Sequence, residues 1–299
     1  MHPILFRIPL PWGGHFYVAS YGVMMALGVV AAVFVALRLA RRDGIRAETV
    51  IDIAFWGVLG GIAGAKAWFI AQNWGDVADK WDLFRNFRSG LVFYGGVLGG
   101  AAGIIGYAAA ARVSILKLLD VAAPASMLGL AFGRVGCFLN GCCYGSETFS
   151  AIGVCFRKVV ENGMIVGSPA FVEQMNKGMV TAASEVSKPV LPSQLFEVAG
   201  ALAVFALLLA LRRTRRFYGE GTALLFVLYA IVRFGVEFTR GDNVPVALGL
   251  TIPQLFSAGA FVAGIAGFVY LRAARPARLA LAEPEAAQGG SGAAKKRGG

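Results

Sequence analysis

Two arginines stand where a helix in hydrocarbon would carry none: Arg134 and Arg233, each inside a run of apolar and small residues. An arginine near the centre of a membrane span costs roughly 2.5–3.5 kcal/mol on insertion scales, so a retained pair points either to function or to compensation. Arg233 belongs to Tyr229-x3-Arg233-x3-Glu237-x2-Arg240, a spacing that predicts all four groups on one helical face. An Arg233–Glu237 pair that neutralises itself would account for that segment alone. Arg134 has no acid within four residues and escapes this account. It lies in the run GRVGCFLNGCCYG at 133–145, which is packed with small residues and holds one amide, Asn140. Convergent guanidinium groups suit an anionic headgroup, because each presents a planar fork that matches two phosphate oxygens. Lys66 and Glu197 are further ionisable residues in apolar stretches. Cys137, Cys142 and Cys143 admit a rival chemistry, thiol exchange or metal ligation. There is no CxxC pair, and the histidines are only His2 and His15. Packing as a small buried group is therefore the preferred reading for Cys137.

The elements that must position these residues follow from composition. Of 299 residues, 57% are hydrophobic and 15% charged, and the mean hydropathy is +0.66, too apolar for a soluble core to be covered by its charged residues. Bulk disorder, a disulfide-stapled domain and collagen-like classes are excluded by the same composition, with its four cysteines and 11 prolines. The chain reads as an all-α integral membrane protein with about seven transmembrane helices, at about 18–37, 53–71, 89–111, 118–143, 194–211, 221–239 and 252–271. Each is near the ~20 residues that span a bilayer core. The implied organisation is an external N-terminal segment (1–17), helices one to four (18–144), a small external subdomain (145–193), helices five to seven (194–273) and a cytoplasmic, largely disordered tail (274–299). Within 145–193, the alternation Ile152–Gly153–Val154–Cys155–Phe156 predicts a strand.

The net charge of +11 would fit nucleic-acid binding or topogenic charge. Its distribution decides: segments 38–52, 112–117, 212–220 and 272–299 hold 16 Lys and Arg in 58 residues, and those on the other side hold 9 in 91. This bias predicts a cytoplasmic C-terminus and an external N-terminus, and removes the support for nucleic acid. Arg41–Arg42 and Arg212–Arg213–Arg215–Arg216 read as anchors at anionic headgroups. The 40 glycines cluster in GVLGGIAG at 57–64 and YGGVLGGAAG at 94–103, small-residue rows that allow helix backbones to approach closely in lipid.

The 133–145 run resembles the GRxGNFxNxExxG signature of the prolipoprotein diacylglyceryl transferases. Ser20-Tyr21-Gly22 is similar to the family's WYG-type element, Phe93-Tyr94-Gly95-Gly96 to FHGG, Pro192-Ser193-Gln194-Leu195-Phe196-Glu197 to HPSQLYE, and Arg233-Phe234-x2-Glu237-Phe238-x-Arg240 to RFxxEFxR. These elements agree in order and spacing, and the likeness runs from Tyr21 to about Leu271. The resemblance implies transfer of the diacylglyceryl group of phosphatidylglycerol to the lipobox cysteine thiol of a prolipoprotein, beside its signal peptide. The reaction would take place at the outer leaflet of the bacterial cytoplasmic membrane, with release of glycerol 1-phosphate and no metal or other cofactor. Arg134 and Arg233 would bind the phosphodiester among membrane lipids, and Tyr21, Asn140, Gln194, Glu237 and Arg240 would line the site with Tyr229.

The sequence also departs from the pattern. Tyr94 stands where the family carries a histidine, and Cys137 and Cys142 stand at an Asn and a Glu position. A phenol with a reference pKa near 10 is a poor acceptor for a thiol near 8.5. Three readings of proton removal stay open: ambient thiol ionisation, Glu237 as base, or a Tyr94 hydroxyl that only holds substrate. A multi-pass transporter or lipid flippase for an anionic substrate is the alternative of a different class, although no internal repeat is visible.

Overall fold

The computed structural model describes residues 3–9, 15–75, 92–161, 164–241 and 245–274. In chain order its helices are α1 (Ser20–Arg42), α2 (Ala47–Gln72), α3 (Phe93–Ala110), α4 (Ile115–Asn140), α5 (Pro169–Asn176), α6 (Ser193–Leu211), α7 (Glu220–Glu237) and α8 (Ile252–Ala274). Every predicted apolar stretch falls on one of these, and only α5 was not foreseen. Among the described residues, five helices are long and apolar enough to cross a membrane (α1, α2, α4, α6 and α8), and Tyr94–Ala110 of α3 is a shorter apolar one. Helix α7 is not among the five; it carries Glu220, Arg233 and Glu237. The protein is thus a mostly helical, multi-pass membrane protein. The predicted connection 38–52 shrinks to residues 43–46, because α1 continues through Arg41 and Arg42 and α2 starts at Ala47. Arg and Glu extend a helix nearly as well as Leu does, so helix ends overrun the apolar window.

Polarity is arranged inside out relative to a soluble protein. Val30, Phe34, Phe55, Leu98, Val262 and Val269 face outward, whereas Ser20, Gln194, Glu197, Glu237 and Gln254 are buried. Helix α4 is the axis, packed against α1, α6 and α7. Ala123 and Met127 of α4 meet Val204 and Leu208 of α6 in one buried cluster.

Helices α2 and α3 pair almost backbone to backbone. A Cβ placed on Gly64 would fall well inside contact distance of the Gly95 carbonyl, and one on Gly99 would strike the Gly60 carbonyl. This close approach is what the glycine rows permit.

At the Arg42 end of α1 a buried ion cluster ties the helices together. Arg212 donates to Asp43 Oδ2 at 2.6 Å and to the Asp120 carbonyl at 2.9 Å. Arg215 donates to Asp43 Oδ1 at 3.0 Å and to Asp120 Oδ2 at 3.4 Å. Asp120 also accepts the Gly219 and Thr222 amides. Arg212 and Arg215 are therefore not the headgroup anchors that the sequence predicts. Two nearby carboxylates claim them, whereas Arg41, Arg42, Arg213 and Arg216 are exposed.

The N-terminal segment forms an antiparallel hairpin, β1 (Ile4–Pro9) with β2 (His15–Ala19). The predicted strand at Ile152–Phe156 is reduced to a single bridge, Val154 with Val190. Gly153 closes a turn onto Ser150, which stops the ladder. The strands of this region are instead β3 (Val159–Glu161) and β4 (Met164–Gly167). Residues 145–193 pack on the Asn140 end of α4, with Phe156, Ala170 and Val190 buried against Phe138 and Tyr144. Tyr144 donates to Glu173 at 2.6 Å. Lys177, then Tyr144, holds that carboxyl below the usual carboxylate range. The first residues of the predicted third span (89–91) and the tail from 275 lie outside the described residues.

Candidate active site

Three helices deliver the charged groups. Arg134 of α4 meets Glu197 of α6, with Nε 3.1 Å from Oε2. Tyr229 of α7 donates its hydroxyl to the other Glu197 oxygen at 2.7 Å. One turn further along α7, Arg233 donates Nη1 to Glu237 Oε2 at 2.6 Å. Thr251, just ahead of α8, donates to Glu237 Oε1 at 2.7 Å. Both carboxyl groups are almost fully buried, at 1% and 3% exposure, and each is held by an arginine and a hydroxyl, which offset the cost of its burial. Glu197 approaches Arg134 at its Nε edge. Among the described residues no other hydrogen bond takes the Nη groups of Arg134, or Nε and Nη2 of Arg233. Tyr229 lies within electrostatic reach of both arginines and so links them.

The arginine that appeared uncompensated in the sequence is therefore compensated by Glu197, a residue not predicted for the site. The available signal was an acid in an apolar helix, which the cost of burial makes a functional candidate in its own right. Arg240, by contrast, is not on the α7 face with Tyr229, Arg233 and Glu237. The helix ends at Glu237, and Arg240 lies beyond it, bridged to Gly145. The Thr239 carbonyl sets this break by accepting the Ser146 amide at 2.8 Å and the Ser193 hydroxyl at 3.2 Å, bonds that a continuing helix would forbid.

At the end of α4 a left-handed turn reverses the chain. Gly141 has φ 78°, and the Cys142 and Gly141 amides bond back to the carbonyls of Cys137 and Phe138 at 3.1 and 3.3 Å. This double closure is a Schellman cap, and it folds Cys142 over Cys137. Gln194, 1% exposed, donates Nε2 to the Cys142 carbonyl at 2.8 Å, fixing the turn to the start of α6. Tyr21 of α1 packs on the same end of α4, where a Cβ on Gly136 would sit 3.2 Å from its ring, and Asn140 touches Cys142.

Beside the charged groups lies an apolar cavity of about 790 Å3 between the α2–α3 pair and α7–α8. Trp68, Leu98, Phe226 and Phe256 line it, and Tyr94, Tyr229 and Arg233 reach it. The structure thus brings Tyr94 to one cavity with Tyr229 and Arg233. Arg134 joins them through Glu197, and Tyr21, Asn140, Gln194 and Arg240 gather around the α4 cap.

A partly buried arginine at an apolar cavity, Arg233, with a second, Arg134, linked to it through Tyr229 and Glu197, forms a site for an amphiphile with an anionic head. The profile of the prolipoprotein diacylglyceryl transferase family matches residues 3–270. The chain belongs to that family. A phosphatidylglycerol–prolipoprotein diacylglyceryl transferase of Clostridium tetani is 31% identical over 265 residues, which are 89% of this chain and 96% of that protein. A second from Clostridium perfringens is 31% identical over 247 residues, 82% and 88% of the two chains. One from Dehalococcoides mccartyi is 30% identical over 269 residues, 90% and 93%.

Proposed function

We propose that this protein transfers the diacylglyceryl group of phosphatidylglycerol to the lipobox cysteine of bacterial prolipoproteins. The observation that carries the reading is the pair of carboxylate-held arginines, Arg134 and Arg233, beside an apolar cavity. Family membership and the names of its relatives supply the reaction class and favour chemistry over transport. In this reading the acyl chains lie in the cavity, and the phosphodiester meets the open edges of the two guanidinium groups. The acceptor sulfur attacks the glyceryl carbon, the C–O bond to phosphate breaks, and glycerol 1-phosphate leaves with the electron pair. Charge that grows on the leaving phosphate is met by cations already oriented, so no reorganisation is needed at the transition state. Glu197 and Glu237 orient the arginines. Because both Glu237 oxygens already hold donors, ambient ionisation supplies the thiolate, a few per cent of a free thiol near pH 7. Tyr94, Tyr21, Asn140, Gln194, Tyr229 and Arg240 position the substrates.

The same reading sets the molecule in the cytoplasmic membrane with seven spans, α7 and α3 included. The β1–β2 hairpin and the 145–193 subdomain are external, and the chain beyond α8 is cytoplasmic. The lipobox peptide arrives from the external face, with its signal peptide among the membrane lipids. The test is direct: purified protein with phosphatidylglycerol and a lipobox peptide yields a thioether-linked product and glycerol 1-phosphate. Movement of lipid across vesicles without product would replace this reading with transport.

A further inference from the structure

The cap that ends α4 assembles three thiols. The Sγ atoms of Cys137, Cys142 and Cys143 all lie within 4.8 Å of one another, and all three cysteines are free. Cys137 is buried and the other two are partly open, so the cluster is anchored within the fold yet reachable. Cys143 is held in the left-handed region, φ 58°, which returns its side chain to the cluster. Beside it, Gln194 spends its amide nitrogen on the Cys142 carbonyl, and its Oε1 is buried with no hydrogen-bond partner among the described residues. Arg134 and Arg240 lie within electrostatic reach of Cys143. We propose that Cys137, Cys142 and Cys143 bind one thiophilic d10 cation, Cu(I) or Zn(II), at the α4 cap.

Softness selects the metal class. Thiolate sulfur prefers Cu(I) and Zn(II) over Mg(II) and Ca(II), which take oxygen. Metal–sulfur bonds of about 2.3 Å hold three sulfurs roughly 4 Å apart, a spacing compatible with a cluster whose sulfurs all lie within 4.8 Å of one another. Binding replaces three S–H bonds with three S–metal bonds and releases three protons to solvent, with no change of oxidation state. The resulting centre is net negative, and the two guanidinium groups offset that charge. Trigonal Cu(I) needs no further ligand, while Zn(II) takes a fourth, for which Gln194 Oε1 is available. The site does not rest on the transferase reading, since it is measured without lipid or peptide.

Full-length protein, reduced with a phosphine and held in detergent, is titrated with Co(II) as the spectroscopic probe, then with Zn(II) and with Cu(I) in competition with chelators. The expected result is one equivalent bound, with thiolate-to-cobalt charge transfer that Zn(II) or Cu(I) abolishes by displacement. Cys142→Ser and Cys143→Ser each weaken binding at least tenfold, and Cys155→Ser, at the exposed fourth cysteine, leaves it unchanged. Bound Zn(II) also protects Cys142 and Cys143 of the wild type from alkylation, a readout that needs no variant to fold. Absence of the charge-transfer band, equal loss in Cys155→Ser, or unprotected thiols at saturating Zn(II) would each overturn the proposal.

Discussion

Each site arginine has its own carboxylate, and this shapes what substitution does. Removing Arg134 alone strands a Glu197 carboxylate that is 1% exposed, at a cost of about 3–5 kcal/mol, so lost activity would be confounded with lost fold. The cleaner variant is Arg134→Gln with Glu197→Gln, which takes both charges away together. It is expected to insert and melt close to wild type while transfer falls below detection, measured by product formation beside a thermal melt. Arg233→Lys keeps the charge but loses the fork, and transfer is expected to drop at least tenfold in the same assay. At Tyr94 the expected change is subtler. Tyr94→Phe should lower turnover about ten- to a hundredfold, the scale of one polar contact to a charged group, and Tyr94→His should keep measurable activity. A wild-type rate for Tyr94→Phe across about pH 6 to 9 would remove the hydroxyl from the chemistry. The intramembrane arginines were legible in the sequence because burying charge in hydrocarbon is costly enough to flag them. The partner of Arg233 was legible too, four residues on at Glu237, but that of Arg134 was not: Glu197 lies 63 positions away, and no local spacing rule reaches across helices.

Helices were the most legible elements, since a bilayer imposes both their length and their apolarity, and every predicted stretch holds a helix among the described residues. Breaks in the pattern came from polar contacts that periodicity does not encode. Thr239 ends α7 by giving its carbonyl to Ser146 and Ser193, and Gly153 ends a would-be strand by turning onto Ser150. The glycine rows were read as packing, and the structure makes that reading specific to the α2–α3 pair. Gly99→Val would drive a branched side chain into the Gly60 carbonyl, whereas a Cβ on Gly96 stays 3.5 Å from its nearest neighbour. Gly99→Val is therefore expected to lower stability by about 1–3 kcal/mol or more, and Gly96→Ala to be nearly neutral, read from melts in detergent. Because this pair forms one wall of the apolar cavity, Gly99→Val should also raise the apparent KM for lipid more than that for peptide.

For the molecule as a whole, the charge asymmetry predicts which way it sits. A reporter active only in the cytoplasm is expected to work when fused after Arg278 and to be silent when inserted near Lys177; the opposite result would move the reaction to the inner leaflet. The ion cluster of Asp43, Asp120, Arg212 and Arg215 then falls at the cytoplasmic end and the paired arginines at the external end. The sequence showed the sign of the basic end but not that half of its central cluster is consumed internally, because composition counts charges without their partners. The pairing at the other end carries a consequence for selectivity. Arg134 with Glu197 and Arg233 with Glu237 sum to zero, so before substrate arrives these four residues project little field into the surrounding bilayer. Such a site cannot gather anionic lipids from a distance. It must sort headgroups at contact, by whether phosphate oxygens fit the open guanidinium edges, and its preference among lipids should change little with ionic strength.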